Sequence, residues 1–399
     1  MTVLRRVAGL AVAIMMGSSA VVTVAGHAGA TTAYSPGPTY ARADGGHGGV
    51  AQAAPGGVAQ AAPGAVTLAA TLPLMASATP PTSPVEMGMR GATIPVWSQD
   101  QYASAEFAAE VATLPADGVN TVVLEPMIFA SSGSDPVFPG STQTASDASL
   151  VTAVKVVQSE GLRVVLKPGL NFSDGTSPGN YAPSGNGAAF FANYDPIIVH
   201  YAQLAAANGV SVFVVGGETD QLAMSNPTAW RSLVSQVRAV YHGPVTYAAT
   251  KWFYQQITWW DALDYIGVEA YFDLVPSSAA DTSNTNVAQL TAAWTPIMAN
   301  LKALSDKYGK QILFTEIGYR SVIGTAFQPW NYQSANPTSD ADQTAAFQSV
   351  LNALTGKAWF AGMYIWMWDT VGETTAQQIN DYTPHNKPAE LALRQAWAP

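Results

Sequence analysis

Short apolar runs alternate with segments of helical periodicity from residue 85 to the end of the chain. Runs that are apolar throughout, rather than at every second position, are typical of strands that are buried on both faces. The weakest run covers residues 85–90, and the clearer runs cover residues 121–124, 163–166, 210–215, 245–247, 265–268, 312–314 and 363–366. The pattern therefore predicts eight strands.

Helices are predicted between these strands. One pattern puts an apolar stripe on a single helix face because its members are spaced by three and four: Val287, Leu290, Trp294, Ile297, Leu301 and Leu304. Gly309 is a typical helix end after this stripe. A second helix is predicted to begin at Asn226 and Pro227, with the asparagine capping free amides and the proline at the first helical position.

Alternating strands and helices favour an α/β fold, a closed (β/α)8 TIM barrel over residues 85–399. The alternative is a doubly wound open sheet. That fold normally has a glycine-rich phosphate loop after its first strand, and the glycine pair at residues 88–91 is too short for one.

The amino terminus has the pattern of an export signal. Arg5 and Arg6 precede an apolar run over residues 7–25, and small residues at 28–30 form a typical cleavage site. We expect a signal peptide over residues 1–30, a secreted, extracellular protein, and no stable membrane insertion after cleavage. A retained membrane anchor is the alternative, because the apolar run is nearly long enough to span a bilayer.

Residues 31–84 are rich in Ala, Gly and Pro, and the segment at 49–56 recurs unchanged at 57–64. Such a composition buries too little apolar surface to offset its ordering entropy. We interpret residues 31–84 as a disordered linker that precedes the barrel.

Charge and composition argue against several functions. Only 11% of the residues are charged and the formal net charge is -10, so the basic surface of a nucleic-acid-binding protein is not expected. The chain has no cysteine, and its 5 histidines are scattered, which argues against a transition-metal site. We expect no metal, no other cofactor and no nucleic-acid partner, and we expect a monomer.

Two glutamates follow predicted strands, at the end where barrel enzymes carry their catalytic groups. Glu218 follows the run at 210–215, and Glu316 follows the run at 312–314. If these are the fourth and seventh strands, both carboxylates point into one mouth. Cleavage of a glycosidic bond with retention needs two carboxyl groups about 5 to 5.5 Å apart, with their pKa values split by the surroundings. The other interpretation of either glutamate is a salt bridge at a strand end.

The segments around these glutamates resemble glycoside hydrolase family 113, the β-mannanase family of a large clan of retaining barrel enzymes. The resemblance rests on Gly-Gly-Glu at 216–218 and above all on Phe-Thr-Glu-Ile-Gly-Tyr-Arg-Ser at 314–321. Weaker matches lie at residues 166–168, 269–272, 366–368 and 386–389.

This resemblance implies an O-glycoside hydrolase that cleaves β-1,4-mannosidic bonds in mannan-type polysaccharides by double displacement. It makes Glu218 the acid/base and Glu316 the nucleophile. One departure from the wider clan is Gly217, since an asparagine usually precedes the acid glutamate there. It is therefore open which group holds the sugar 2-hydroxyl.

Aromatic side chains are candidates for substrate binding. Tyr271 follows the sixth strand and could hydrogen-bond Glu316, or it could belong to the core. Trp366 and Trp368 follow the last strand and could stack on sugar rings, or both could be packing residues. Loop aromatics that could line outer subsites are Trp252, Trp330 and Tyr332.

Two basic residues are further candidates. Lys167 and Arg90 lie at predicted strand ends and could bind sugar hydroxyls. The alternative is a salt bridge with Glu125 or Glu86, and the sequence favours neither interpretation.

Other functions stay open. The same catalytic groups could act on another β-glycan, such as a glucan, a xylan or a short oligosaccharide. A non-catalytic carbohydrate-binding envelope protein could lose either glutamate without penalty, and both are present. A barrel aldolase usually needs a Schiff-base lysine, for which Lys167 is the candidate.

Overall fold

The computed structural model describes residues 88–132, 135–183, 187–368 and 378–397. The signal peptide predicted for residues 1–30 and the linker predicted for residues 31–84 lie outside the described residues. Within the described ranges, no helix is both long enough and apolar enough to cross a membrane.

Parallel strands form a closed barrel. They are β1 (Met89–Val96), β2 (Thr121–Ala130), β3 (Arg163–Leu166), β4 (Gly169–Phe172), β5 (Val212–Gly217), β6 (Val245–Thr250), β7 (Ile266–Glu269), β8 (Ile312–Ile317) and β9 (Phe360–Ile365). Neighbours follow the order β1-β9-β8-β7-β6-β5-β3-β2, and β1 also pairs with β2. Because β3 and β4 both pair with β2, they share one of the eight positions around the barrel. The predicted barrel is confirmed, and the open sheet is wrong because β1 has a partner on each side.

Helices follow the strands along the chain. They are α1 (Ala105–Thr113), α2 (Asp147–Ser159), α3 (Ala188–Ala207), α4 (Asp220–Ser225), α5 (Pro227–Val240), α6 (Val287–Tyr308), α7 (Asp340–Leu354) and α8 (Pro388–Trp397). The predicted apolar stripe lies on α6, and Gly309 ends that helix with a φ of 63°, a left-handed conformation that favours glycine. Helix α5 begins at Pro227 as predicted. The Asn226 side chain does not cap it, however, but donates to the Ser225 hydroxyl.

Two apolar layers enclose the strands, which explains why the strand sequences are apolar throughout. The larger layer lies between the strands and the helices. The smaller layer includes inward-facing side chains of the strands, among them Val123, Val165, Val214, Leu313 and Tyr364.

The position predicted for the first strand is wrong. Strand β1 runs over Met89–Val96 rather than over residues 85–90. Gly91 interrupts the apolar pattern in the sequence, but glycine is needed inside the strand because the ring of Tyr364 occupies the space beside it. A Cβ on Gly91 would clash with Cδ1 of Tyr364.

Local irregularities shape the carboxyl ends of the strands. Pro168 has no amide hydrogen to donate, and it lies with Lys167 in the break between β3 and β4. The pairing register shifts on β5 just before Glu218 and on β8 just before Glu316. Bulges of this kind redirect side chains at barrel rims, and both candidate glutamates lie next to one.

Candidate active site

The carboxyl ends of the strands surround a narrow cavity. Its lining includes Glu125 from β2, Lys167 from the break after β3, Glu218 after β5, Glu316 from β8 and Trp366 after β9. The structure therefore brings the two candidate glutamates together in one mouth, from the fourth and seventh positions around the barrel.

Glu316 is held by two hydrogen-bond donors. Only 2% of the residue is exposed. Its Oε1 accepts from Nζ of Lys167 at 2.5 Å, and its Oε2 accepts from the hydroxyl of Tyr271 at 2.7 Å. Of the two interpretations of Tyr271, the structure thus shows the hydrogen bond to Glu316. Donors on both oxygens fix the orientation of the carboxyl group.

Lys167 is buried among three carboxyl groups. Its Nζ lies 2.5 Å from Glu316, 3.1 Å from Glu125 and 3.5 Å from Glu269. Burial alone would lower the pKa of Lys167, but the charges of Glu125, Glu316 and Glu269 raise it well above its ordinary value. The salt bridge with Glu125, one of the two interpretations of Lys167, is thus present, and the binding of sugar hydroxyls by Lys167 stays a prediction. An amine held as ammonium is not a nucleophile, which argues against the aldolase interpretation.

Glu218 has an unusual backbone conformation and a raised pKa. Its φ is 55°, in the left-handed region that is uncommon for residues other than glycine and is often found at functional sites. Burial, reinforced by the charge of Glu316, raises the pKa of Glu218 to about 8, although Lys167 lowers it. A carboxyl group that keeps its proton near neutral pH can act as a general acid.

The tryptophans that follow β9 have different environments. Trp366 lines the cavity, and Nζ of Lys167 lies 5.8 Å from its ring centroid. Trp368 is fully buried in the larger apolar layer, where it stacks on His385 with ring centroids 5.9 Å apart. The sugar-stacking prediction is therefore wrong for Trp368, and it stays a prediction for Trp366.

Further aromatic side chains extend away from the cavity. Trp252, on the loop after β6, meets Trp330 edge to face with ring centroids 5.6 Å apart. Trp330 packs against a cluster that contains Met127, Tyr271, Trp366, Met367 and Tyr382, as do Trp97, Phe129 and Tyr332. The predicted loop aromatics thus continue the aromatic surface that begins at Trp366.

Arg90 is not part of this site. It is the second residue of β1 and lies at the amino-terminal end of the barrel, because β1 extends to Val96 instead of ending at residue 90. Its backbone amide donates to Asn120 and its Nε donates to the carbonyl oxygen of Gly118 at 2.8 Å. The prediction that Arg90 binds substrate is therefore wrong.

Glu125 and Glu269 are site residues that the sequence analysis did not select. Each directly follows a predicted strand, so the rule that selects Glu218 also selects them. Burial raises the pKa of Glu125 to about 7, although Lys167 lowers it. Burial, with the charges of Glu316 and Glu218, raises the pKa of Glu269 well above its ordinary value. Over the described ranges, no group of His, Asp or Glu side chains is placed to hold a metal ion.

A closed barrel with two carboxyl groups in its mouth, one of which has a raised pKa, beside an aromatic surface, defines a class of enzyme: an O-glycoside hydrolase. The sequence profile of Glycoside Hydrolase Family 113 matches residues 95–387, and the chain belongs to that family. The resemblance carried by residues 216–218 and 314–321 is confirmed.

Solved structures share this fold. A complex of a family 113 β-1,4-mannanase is 23% identical, with a TM-score of 0.68, over 78% of this chain and 99% of that chain. The family 113 β-mannanase AaManA from Alicyclobacillus acidocaldarius, in complex with ManMIm, is 24% identical, with a TM-score of 0.68, over 78% of this chain and 97% of that chain. A fungal β-1,4-galactanase is 14% identical, with a TM-score of 0.52, over 77% of this chain and 99% of that chain. No curated protein matches the chain.

Proposed function

We propose that this glycoside hydrolase cleaves β-1,4-mannosidic bonds with retention of configuration, using Glu316 as the nucleophile and Glu218 as the acid/base. The observation that carries the proposal is the contrast between two carboxyl groups in one cavity. Glu316 accepts hydrogen bonds from Lys167 and Tyr271, whereas the pKa of Glu218 is raised to about 8 by burial and by the charge of Glu316.

Each carboxyl group fits one role in a double displacement. In the first step a Glu316 oxygen attacks the anomeric carbon while Glu218 gives its proton to the leaving glycosidic oxygen. In the second step a water oxygen attacks the same carbon. Glu218 takes the water proton, and the bond to Glu316 breaks with its electron pair. Both carboxyl groups then return to their starting states.

Mannan is favoured over other β-glycans by membership of family 113 and by the two related structures named as β-mannanases. The aromatic surface that runs from Trp366 past Trp330 to Trp252 fits a chain of sugar rings rather than a single sugar. Purified protein should release new reducing ends from glucomannan and galactomannan, and much less from xylan or a β-glucan. Preferential cleavage of either of the last two would move the substrate assignment to that glycan.

Product stereochemistry tests retention. Proton nuclear magnetic resonance of the earliest products should show the β-anomer before mutarotation, and an initial α-anomer would rule out the double displacement. Glu316→Gln should abolish turnover of every substrate. Glu218→Gln should abolish turnover of mannans but retain the first step on a dinitrophenyl β-mannoside, because that leaving group needs no proton. A non-catalytic carbohydrate-binding protein would bind mannan equally in all three forms and release nothing.

We also propose export of the enzyme, since residues 1–30 have the pattern of a signal peptide. Expression of the full chain in its source cell and sequencing of the extracellular form should give an amino terminus near Thr31. An enzyme retained in the cell with Met1 intact would contradict this.

A further inference from the structure

Glu269 is a buried carboxyl group that lies beside Lys167. It ends β7, where its register partners are Thr250 on β6 and Glu316 on β8. Only 1% of the residue is exposed. Its Oε1 lies 3.5 Å from Nζ of Lys167, and in the described part of the chain neither of its oxygens makes a hydrogen bond. Buried polar groups are almost always hydrogen-bonded, so this exception calls for an explanation.

The charges around Glu269 do not balance if every carboxyl group is ionised. Lys167 forms ion pairs with Glu125, Glu269 and Glu316, and one ammonium group cannot neutralise three buried carboxylates. A buried charge without compensation is strongly disfavoured, so the group takes up a proton instead. Glu316 has two donors and Glu125 lies closer to the ammonium group than Glu269 does. Glu269 is therefore the carboxyl group that keeps its proton.

Glu218 is the neighbouring carboxyl group that can accept a hydrogen bond from protonated Glu269. Gly217 carries no side chain, and a Cβ at that position would lie 3.6 Å from Oε1 of Glu269, so Glu269 occupies the space beside the residue that precedes Glu218. Besides burial and the charge of Glu316, an interaction between the two side chains lowers the pKa of Glu218 and raises that of Glu269. This is the sign expected when Glu269 donates and Glu218 accepts. The other titratable groups that act on Glu269 are Lys167, Glu316 and Tyr247.

We propose that Glu269 is a positioning residue of the glycosidase, an uncharged carboxylic acid whose O–H group supports the carboxylate form of Glu218. The proposal rests on the acid/base role proposed above for Glu218.

The proton balance over one turnover is simple. When the glycosidic bond breaks, Glu218 loses its proton to the leaving oxygen, and Glu269 donates a hydrogen bond to the new carboxylate. When water attacks, Glu218 regains a proton from that water. Glu269 begins and ends the cycle protonated, so it supplies no proton and needs no co-reactant.

An infrared difference spectrum tests the charge state without any substrate. At about pH 9, the spectrum of the wild type minus that of Glu269→Gln should contain the carbonyl band of a protonated carboxylic acid. The matched control is Glu125→Gln, which removes the carboxyl group on the other side of Lys167. Its difference spectrum at the same pH should contain carboxylate bands, since the pKa of Glu125 is raised by burial only to about 7. Carboxylate bands in the Glu269 difference spectrum would overturn the proposal, whatever glycan the enzyme cleaves.

Kinetics then test the positioning role on whichever glycan the wild type cleaves. Glu269→Leu removes the donor, so the alkaline limb of the pH profile should move to higher pH, and the first step on the glycan, in which Glu218 becomes a carboxylate, should slow by about tenfold or more. The first step on a dinitrophenyl glycoside takes no proton from Glu218, so its rate should change little. Glu269→Gln keeps an uncharged donor, so it should recover part of the lost rate with the alkaline limb in place. A limb displaced to lower pH by about one unit in Glu269→Gln would mean that a negative charge had been removed, which contradicts the proposal. If Glu269→Leu does not fold, the position of the alkaline limb in Glu269→Gln still tests the proposal.

Discussion

Nζ of Lys167 and Oε1 of Glu316 lie 2.5 Å apart, in an ion pair that joins the break after β3 to β8 across the barrel mouth. The same ammonium group lies 3.1 Å from Oε1 of Glu125. The proposed nucleophile is therefore held by a cation that is itself anchored on β2. Because all three side chains are buried, the pair is weakly screened and strongly directional.

Replacement of Lys167 by methionine should lower kcat by about a hundredfold or more, because Glu316 loses both its counter-ion and one of its two hydrogen-bond donors. Removal of one partner of a buried pair costs roughly 3 to 5 kcal/mol of stability, so thermal unfolding must be followed in parallel.

Lys302→Met is the control for this experiment, because Lys302 pairs with Asp306 on the exposed side of α6. Exposed ion pairs contribute about 1 kcal/mol at most. This variant should keep the wild-type kcat. A Lys167→Met enzyme with normal kcat would show that the ion pair has no part in the reaction.

Tyr271→Phe should lower kcat by about ten- to a hundredfold with little change in KM, since it removes a 2.7 Å hydrogen bond to the nucleophile and leaves the ring in place. Tyr241→Phe is the matched control. That hydroxyl is also buried, but it donates to the carbonyl oxygen of Val210 at 2.9 Å, before the start of β5. The control should lose about 1 kcal/mol of stability and no activity. Equal losses of kcat in the two variants would point to a general packing effect.

Much of the barrel could be predicted because strands buried on both faces leave continuous apolar runs, and the two glutamates could be found because barrel chemistry lies where those runs end. The same rule was applied to Lys167, and the structure places it in the cavity. The rule failed for Arg90 because Gly91 breaks the apolar pattern inside a strand, so the strand seemed to end there. The contact that makes glycine necessary there comes from Tyr364, which is remote in sequence.

Other features depend on three-dimensional contacts that leave no local signal. Trp366 and Trp368 look equivalent in sequence, yet one lines the cavity and the other is core. The register shifts before Glu218 and Glu316 arise from pairing with neighbouring strands. The pairing of Lys167 with Glu316, which lies 149 residues further along the chain, likewise requires the closed barrel.

The alkaline limb of the pH profile should report Glu218. The pKa of this group is raised to about 8 by burial and by the charge of Glu316, and a general acid works only while it is protonated. Activity on mannan should therefore fall as the pH rises through about 8. With a dinitrophenyl β-mannoside, whose leaving group needs no proton, the first step should lose this limb. If the first step on this substrate keeps the alkaline limb unchanged, the limb reports the titration of a group other than Glu218.

Asp220→Asn should stabilise the protein at neutral and alkaline pH. Asp220 is 2% exposed. Its Oδ2 accepts from the Thr250 hydroxyl at 2.7 Å, whereas its Oδ1 has no hydrogen bond with any described residue. Burial raises the pKa of Asp220 to about 7, although Thr250 lowers it. In the unfolded chain this group ionises near its ordinary value of 3.8.

The sign of the effect follows from linkage. Below pH 3.8 both states hold the proton, and between that value and about 7 only the folded state holds it. The free energy of unfolding therefore falls as the pH rises across this window and levels off above it. An asparagine side chain does not ionise, so Asp220→Asn should lose this fall and gain up to a few kcal/mol relative to wild type at about pH 8. Urea unfolding at about pH 4 and about pH 8 measures the difference. A variant that is equally destabilised at both values would show that Asp220 is ionised in the folded state throughout.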